Sequence, residues 1–326
     1  MRFSLTELFR LLYIGFSLRF SELFFVAEVM ERRYVYIAAL LLLAACSKPQ
    51  YSPTIAFPCE WPTSPGFAPT ADIDKQQIKD PSGICLHPQR KTFFIVSDEG
   101  IIFEVKQDGT PIASVNVPGD LEDITVDPAS GLLYIIVEGD DVILEFDPDK
   151  KEVLRRFPVN RTFQGDPNFL QKQVDKYDNG IESLHFVPDP KHPEGGTFYA
   201  GNQEDPACIM ELFVPLRSSQ AKEAEAKILR VLPFKIRDPG AMFYDPKTKL
   251  LNIVSDADNI LAEITLDGKL VKQYAFPGND QEGLWIDDEN FIYIVQDGGG
   301  NPEAQRPAKA LTTKRPLWWR SASYAS

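Results

Sequence analysis

The chain has 326 residues and a formal net charge of −13 at pH 7, from 47 acidic and 34 basic residues. This charge argues against a nucleic-acid partner, because the phosphate backbone would be repelled. The length allows two ordinary domains or one large domain with terminal extensions. The four cysteines include no closely spaced pair, which argues against a cysteine-rich zinc site.

Residues 1–46 are predicted to be an N-terminal extension followed by a signal peptide. Charged residues between Met30 and Arg33 precede an apolar run that ends in Leu43-Ala44-Ala45-Cys46. This order is typical of secretory signals, and its last four residues resemble a bacterial lipoprotein signal. The resemblance implies cleavage before Cys46 and a lipid anchor on Cys46 that holds the protein on a membrane facing the periplasm. Ser47 then favours the outer membrane of a Gram-negative cell. An uncleaved transmembrane anchor is the alternative.

Residues 47–76 are predicted to be a tether, because proline, serine and threonine are frequent there. Within this segment, the stretch from Thr54 to Phe57 has the composition of a short strand. We therefore expect it to add a strand to the folded body that follows.

A short phrase recurs five times in the central part of the chain, at intervals of 40, 60, 58 and 42 residues. A period near 40 with strands in every unit indicates a propeller built from repeated sheets. We therefore predict an all-β fold, a β-propeller over residues 77–300 with five blades, six being the alternative. The copies are Asp80-Pro81-Ser82-Gly83-Ile84, Asp120-Leu121-Glu122-Asp123-Ile124, Gly180-Ile181-Glu182-Ser183-Leu184, Asp238-Pro239-Gly240-Ala241-Met242 and Asp280-Gln281-Glu282-Gly283-Leu284.

The segments between the copies read as strands and turns. Asp127-Pro128 has the chemistry of a tight turn after the first strand of its repeat. His87-Pro88 occupies the same place, so we interpret His87 as a turn residue, and His185 and His192 as structural residues too. The stretch from Ser218 to Lys227 is rich in alanine, glutamate and lysine, which predicts a short surface helix.

Residues 301–326 depart from the repeat pattern. They carry basic residues and the pair Trp318-Trp319, and they show no strand alternation. We interpret them as a non-propeller basic tail. The fifth blade needs its outer strands in this region, so either the N-terminal segment supplies one of them or the tail is an artefact of reading frame or readthrough. A basic aromatic segment that lies on a membrane surface is the rival interpretation.

The repeated phrase predicts a ring of oxygen ligands. In a propeller the starts of first strands and the ends of second strands meet at one mouth of the central channel. Carboxylates brought this close require compensation, and Ca²⁺ takes six to eight oxygen ligands. We predict a bound Ca²⁺, with Mg²⁺ as second choice and with local strand capping as the alternative. The candidate metal ligands are Glu122, Glu182 and Glu282 as the inner set, with Asp238 and Asp98.

These segments resemble the SdiA-regulated family of bacterial envelope propellers, which is distantly related to NHL-repeat proteins. The motifs that carry the resemblance are Phe94-Ile95-Val96-Ser97-Asp98-Glu99, Leu121-Glu122-Asp123-Ile124, Gly180-Ile181-Glu182-Ser183-Leu184, Ile253-Val254-Ser255-Asp256 and Gln281-Glu282-Gly283-Leu284, besides the first copy of the phrase. The resemblance implies a five-bladed propeller with a calcium site in its channel region, and no established activity.

Two functions fit these features. In the first, the propeller is a membrane-tethered module of the cell envelope that binds Ca²⁺ at its channel and a small ligand or an envelope protein. In the second, the metal activates water to hydrolyse an ester, a lactone or a phosphoester. A hydrolase of this kind would be expected to place a histidine or an unshared acid beside the metal, and the sequence favours the binding module.

The lipoprotein prediction is tested by mass spectrometry of the mature protein from a membrane fraction. We expect the mature chain to start at an acylated Cys46, because the signal is cleaved immediately before this residue. The translated start, Met1 or Met30, does not affect this outcome. A mature chain that retains Met1, or that starts at any residue other than Cys46, contradicts the prediction.

Overall fold

The computed structural model describes a set of residue ranges that all belong to the compact unit Ser52–Ser326. The signal segment with Cys46 lies outside them. No helix within these ranges is long and apolar enough to cross a membrane. The described ranges are 54–56, 68–72, 78, 80–171, 180–275, 281–288, 291–296 and 309–314.

The described elements are all β-strands, which confirms the predicted all-β class. Two short strands come first, and the remaining strands follow in antiparallel groups. The strands up to the middle of the chain are β1 (Thr54–Ala56), β2 (Ala68–Asp72), β3 (Pro81–Leu86), β4 (Phe93–Ser97), β5 (Ile101–Val105), β6 (Pro111–Asn116), β7 (Leu121–Val126), β8 (Leu133–Val137), β9 (Val142–Asp147), β10 (Glu152–Asn160), β11 (Ile181–Pro188) and β12 (Gly196–Asn202).

The second half continues the same pattern. Its strands are β13 (Cys208–Phe213), β14 (Ala226–Val231), β15 (Ala241–Asp245), β16 (Leu250–Ser255), β17 (Ile260–Thr265), β18 (Leu270–Ala275), β19 (Gln281–Ile286), β20 (Phe291–Gln296) and β21 (Lys309–Lys314).

The described strands form five antiparallel meanders, and a parallel pairing of β10 with β14 joins the second and third meanders into one eight-stranded sheet. The meanders are β3–β6, β7–β10, β11–β14, β15–β18 with β1 added at the edge, and β19–β20–β21–β2. Burial explains the order within a meander. The first strand β7 is buried along its whole length, whereas the fourth strand β6 is mostly exposed. First strands are mostly buried on both faces, and buried polar residues such as Asp123 and Ser183 hydrogen-bond to the next meander.

The first strands contact one another in sequence around a closed ring, in which β19 returns to β3. Five apolar clusters lie between successive meanders and form the core. Cys85 and Phe94 of the first meander pack with Leu144 of the second, and Val295 of the last packs with Ile95 of the first. This arrangement is the predicted propeller, since each sheet buries its faces only against its neighbours.

The two ends of the chain complete the last meander. β21 pairs with β20, and β2 pairs with the other edge of β21. β1 pairs in parallel with β18, as expected for the strand predicted from Thr54. From the sequence, β2 was predicted to lie in the tether and β21 in a non-propeller tail. The structure differs because these two strands pair with each other and with β20, and such pairing joins residues far apart in the chain.

The predicted surface helix between Ser218 and Lys227 is wrong. The structure has turns, a parallel bridge at Glu223 and the start of β14 in this segment. Helix propensity is a weak local preference, and here the adjacent strands decide. The Arg156 N–H donates to the Lys222 carbonyl at 2.9 Å, and the Ala224 N–H donates to the Arg156 carbonyl at 3.1 Å.

The turn after each first strand follows the predicted chemistry. The Asp127 carboxylate accepts hydrogen bonds from the Ala129 N–H at 2.9 Å and from the Ser130 hydroxyl at 2.7 Å. His87 is a turn residue, as predicted. Its Nδ1 accepts from the Arg90 N–H at 3.3 Å, and its Nε2 bonds the Gly131 carbonyl of the next turn at 2.9 Å.

Close approach of β3 to β7 requires a small residue at Gly83, the fourth residue of the first phrase copy. A Cβ atom on Gly83 would lie 2.6 Å from the Asp123 Cα and 2.9 Å from the Glu122 carbonyl oxygen. Both atoms belong to the backbone of β7, so they cannot move aside without shifting the strand.

We therefore predict that Gly83→Ala lowers the free energy of unfolding by about 1–3 kcal/mol, measured by urea denaturation. Gly240→Ala is the matched control, because its nearest atom is the flexible end of Glu282 at 3.3 Å. Equal stability of the two variants would contradict this account.

Candidate metal centre

Starts of first strands and ends of second strands meet at one mouth of the channel, as predicted. The Asp80 carbonyl accepts the Asp98 N–H at 3.3 Å, and the Asp120 carbonyl accepts the Glu138 N–H at 2.9 Å. The Gly180 carbonyl likewise accepts the Gln203 N–H at 2.9 Å. These backbone bonds bring acids that are distant in sequence to the same rim. We call this rim the acidic mouth.

A β-bulge explains why the third phrase residue belongs to this rim. The pairing of the first and second strands skips Ser82, Glu122, Glu182 and Glu282, since the register shifts between their neighbours. A bulge re-aims the side chain of the extra residue and bends the strand. The fourth meander differs, because β15 begins at Ala241, after the equivalent Gly240. Glu282 reaches towards that glycine, with its carboxylate 3.3 Å from the position a Cβ atom would take.

The tightest group of carboxylates at the acidic mouth is Asp98, Asp120 and Glu122. One oxygen from each lies within 4.8 Å of the others. Glu122 is buried, Asp120 is half-buried and Asp98 is exposed, so the group runs from the interior to solvent. Burial raises the pKa of Glu122 well above its ordinary value, and the charges of Asp98 and Asp120 raise it further.

Glu182 extends the group to the next meander. Burial is the main cause that raises its pKa well above the usual range, and the charges of Glu122, Glu138 and Glu282 add to it. Glu182 also shares a hydrogen bond with Glu138, whose Oε1 accepts the Gly180 N–H at 2.6 Å. The predicted inner set therefore lies within mutual electrostatic range, and Glu138 belongs with it.

The other predicted ligands behave differently from one another. Asp98 accepts a short hydrogen bond from the Ser82 hydroxyl. Asp238 accepts the Gln203 amide at 3.3 Å and the Ala257 N–H at 3.2 Å. Its pKa is raised mainly by burial, while the bond from Gln203 lowers it. Asp238 thus makes hydrogen bonds to Gln203 and Ala257, which agrees with the alternative of local strand capping. Asp98 instead lies beside Glu122.

The donor set fits a hard divalent cation. Among the described residues, the largest charge effects on the pKa values of Glu122 and Glu182 all come from carboxylates. Close by, Arg161 is already engaged in an ion pair with Asp141 at 2.6 Å. Carboxylate oxygens suit Ca²⁺ and Mg²⁺, and they suit zinc or copper less well. A bound cation would offset the repulsion and allow the glutamates to ionise.

The opposite mouth of the channel holds a cavity that was not predicted from the sequence. The last residues of the first strands enclose a cavity of about 290 Å³. His185, interpreted as a structural residue, lines it together with Phe243 and Trp285. The repeats contain a signal for this cavity. His185, Phe243 and Trp285 occupy the same position in their repeats, four residues after Ile181, Pro239 and Gln281.

The profile of the SdiA-regulated family matches residues 70–299. The chain belongs to the SdiA-regulated family. The matched range contains all five copies of the phrase and the candidate ligands of the acidic mouth. This confirms the family resemblance of the motifs. No curated protein matches the chain significantly.

Two of the solved structures that are similar to this family member are enzymes. Glutaminyl cyclase from Myxococcus xanthus is 11% identical, with a TM-score of 0.49, and 76% of this chain matches 93% of that one. Hydrazine synthase from Kuenenia stuttgartiensis is 15% identical, with a TM-score of 0.41, and 66% of this chain matches 55% of that one. The chain thus spans about half of the hydrazine synthase chain. At these levels of similarity neither activity carries over.

The raised pKa values of Glu122 and Glu182 predict a pH dependence of stability without divalent cations. Above the ordinary carboxyl pKa the folded protein retains protons that the unfolded chain has lost, so the free energy of unfolding falls as pH rises. The double variant Glu122→Gln with Glu182→Gln removes this loss. We expect the variant to gain stability relative to wild type between about pH 5 and pH 8 in chelator, measured by urea denaturation.

The comparison with wild type is necessary because two histidines act in the opposite direction. Burial lowers the pKa of His87, and it lowers that of His185 to about 3. Their contribution to stability rises with pH, and it cancels in the difference between variant and wild type. A difference that stays constant over this pH range would contradict the burial of ionisable glutamates at the mouth.

Proposed function

We propose that this SdiA-regulated protein is a propeller of the cell envelope that binds Ca²⁺ at its acidic mouth and serves as a binding module. The observation that carries the proposal is the group of Asp98, Asp120 and Glu122, whose oxygens lie within 4.8 Å of one another. Attachment to the envelope is supported by the lipoprotein signal that ends at Cys46. Mg²⁺ is the second choice of cation.

The three carboxylates that lie closest together, which we propose as direct ligands, come from two meanders. Asp98 belongs to the first, and Asp120 and Glu122 belong to the second. Glu182 and Glu282, in the third and fifth, would complete the oxygen set directly or through water, since Ca²⁺ accepts six to eight oxygens. The ion would neutralise the mouth and link the starts of several first strands. Stability and cation binding are therefore coupled, because only the folded ring gathers these ligands.

The binding module remains favoured over the metal-dependent hydrolase because of where the histidines lie. His87 and His192 are in turns. His185 lies at the opposite mouth, among Phe243 and Trp285. None of the three histidines is thus placed to act as a base beside a metal at the acidic mouth. A screen with lactone and phosphoester substrates distinguishes the two functions, since turnover abolished by chelator would favour the hydrolase.

Calcium is expected to stabilise the full-length protein against unfolding. At a free concentration about 100 times the dissociation constant, the gain is about 2.7 kcal/mol. Glu122→Gln and Glu182→Gln each remove a charged ligand, so we expect about tenfold weaker binding and about 1.4 kcal/mol less stabilisation. Calorimetric titration and thermal unfolding, with and without calcium, measure both quantities.

The matched control is Glu223→Gln, the same change at an exposed position on another part of the ring. It is expected to keep the full calcium response. Wild-type protein whose melting temperature is the same in calcium and in chelator would refute the cation site. A response retained in both Glu122→Gln and Glu182→Gln would show that the ion binds elsewhere.

A further inference from the structure

The cavity at the opposite mouth has the construction of a small-molecule site. Its volume of about 290 Å³ is near the lower limit of pockets that hold small ligands. Each of the five first strands contributes to its lining, from Leu86 in β3 to Trp285 in β19. Four residues along a strand, from Glu122 to Val126, span about 13 Å. The cavity and the acidic mouth are therefore separate sites at the two ends of the same strands.

Aromatic rings form one wall of this cavity. The ring centroids of Phe243 and Trp285 are 4.9 Å apart and nearly perpendicular, and those of His185 and Phe243 are 5.2 Å apart. His185 is buried, and burial keeps its pKa near 3, so the imidazole is neutral at physiological pH. The wall is therefore uncharged and suits a planar apolar group, which gains both buried area and ring contacts there.

The rim of the cavity carries two lysines, Lys91 and Lys247, and three aspartates, Asp245, Asp287 and Asp288. Lys247 bonds Asp288 at 3.1 Å, and Asp287 accepts a hydrogen bond from the Tyr293 hydroxyl at 3.1 Å. Asp245 accepts the Lys247 N–H at 2.9 Å within its own turn. Lys91 also lines the cavity, and within the described ranges its ammonium has no ionic partner. The rim thus offers one cation to an incoming ligand.

We propose that this cavity binds a small planar aromatic ligand that carries one carboxylate, with the ring against Phe243, His185 and Trp285 and the carboxylate at Lys91. The inference deepens the binding role proposed above and rests on it, but it is independent of the cation at the acidic mouth. It assigns the anionic ligand to the mouth where Lys91 lies, away from the converging carboxylates of Asp98, Asp120 and Glu122.

Two matched probes test the site on the full-length protein by isothermal titration calorimetry. Indole-3-acetate carries the ring and the carboxylate, and indole carries the ring alone. Wild type is expected to bind both at one site, with indole-3-acetate the tighter. Lys91→Gln is expected to weaken binding of indole-3-acetate about threefold and to leave indole unchanged. Lys106→Gln, an exposed lysine of another turn, is the control and should change neither.

A second variant tests the cavity itself. Leu86→Trp fills part of the space and is expected to weaken both probes at least about tenfold. Leu229→Trp makes the same change at an exposed position of β14 and should have no effect. If Leu86→Trp does not fold, the two probes on Lys91→Gln still decide the outcome.

The outcomes separate this inference from the cation site. Absence of binding of both probes to wild type overturns the cavity as a site. Equal affinity of wild type and Lys91→Gln for indole-3-acetate overturns the assignment of the anion. All titrations are repeated in chelator, where probe binding is expected to persist. Retained probe binding together with an absent calcium response would overturn the cation proposal alone.

Discussion

The acidic mouth depends on one backbone feature, the bulge at the third phrase residue. A regular strand would leave alternate residues facing the neighbouring sheets, where a glutamate would be buried in the apolar core. The bulge releases Glu122, Glu182 and Glu282 from the pairing, and the closed ring then brings them to one rim. Like charges accumulate there at a cost that protonation or a cation must offset. Ser82 and Gly240 occupy the same phrase position in the other two meanders, which keeps this charge from growing further.

The ring that imposes this cost is closed by apolar packing between meanders. Each of the five clusters joins two neighbouring meanders, and one of them joins the last meander to the first. No meander can bury its faces alone, so the ring is stable only as a whole. Small residues such as Gly83 allow the first strands to approach closely at the axis. The position of the carboxylates is therefore set by the same contacts that hold the protein together.

The two ends of the first strands have opposite chemistry. Their starts carry carboxylates, and their ends carry Phe243, Trp285 and the neutral His185 around a cavity. A separation of about 13 Å along these strands keeps the two sites distinct. Salt screens exposed charges over about 8 Å, but it screens the buried Glu122 and Glu182 much less. Coupling between the mouths can therefore pass through the field of these buried charges as well as through the shared strands.

The sequence by itself determined the all-β class, the repeat and the acids at the third phrase position, because these depend on local patterns of turns and apolar runs. The turn at Asp127 was predicted from the sequence for the same reason. Tertiary structure decided which acids meet: Asp98 and Asp120 lie beside Glu122, whereas Asp238 bonds Gln203 and Ala257. It also decided that both chain ends supply strands to the last meander. Such contacts join residues far apart in the chain, and they form only when the ring closes.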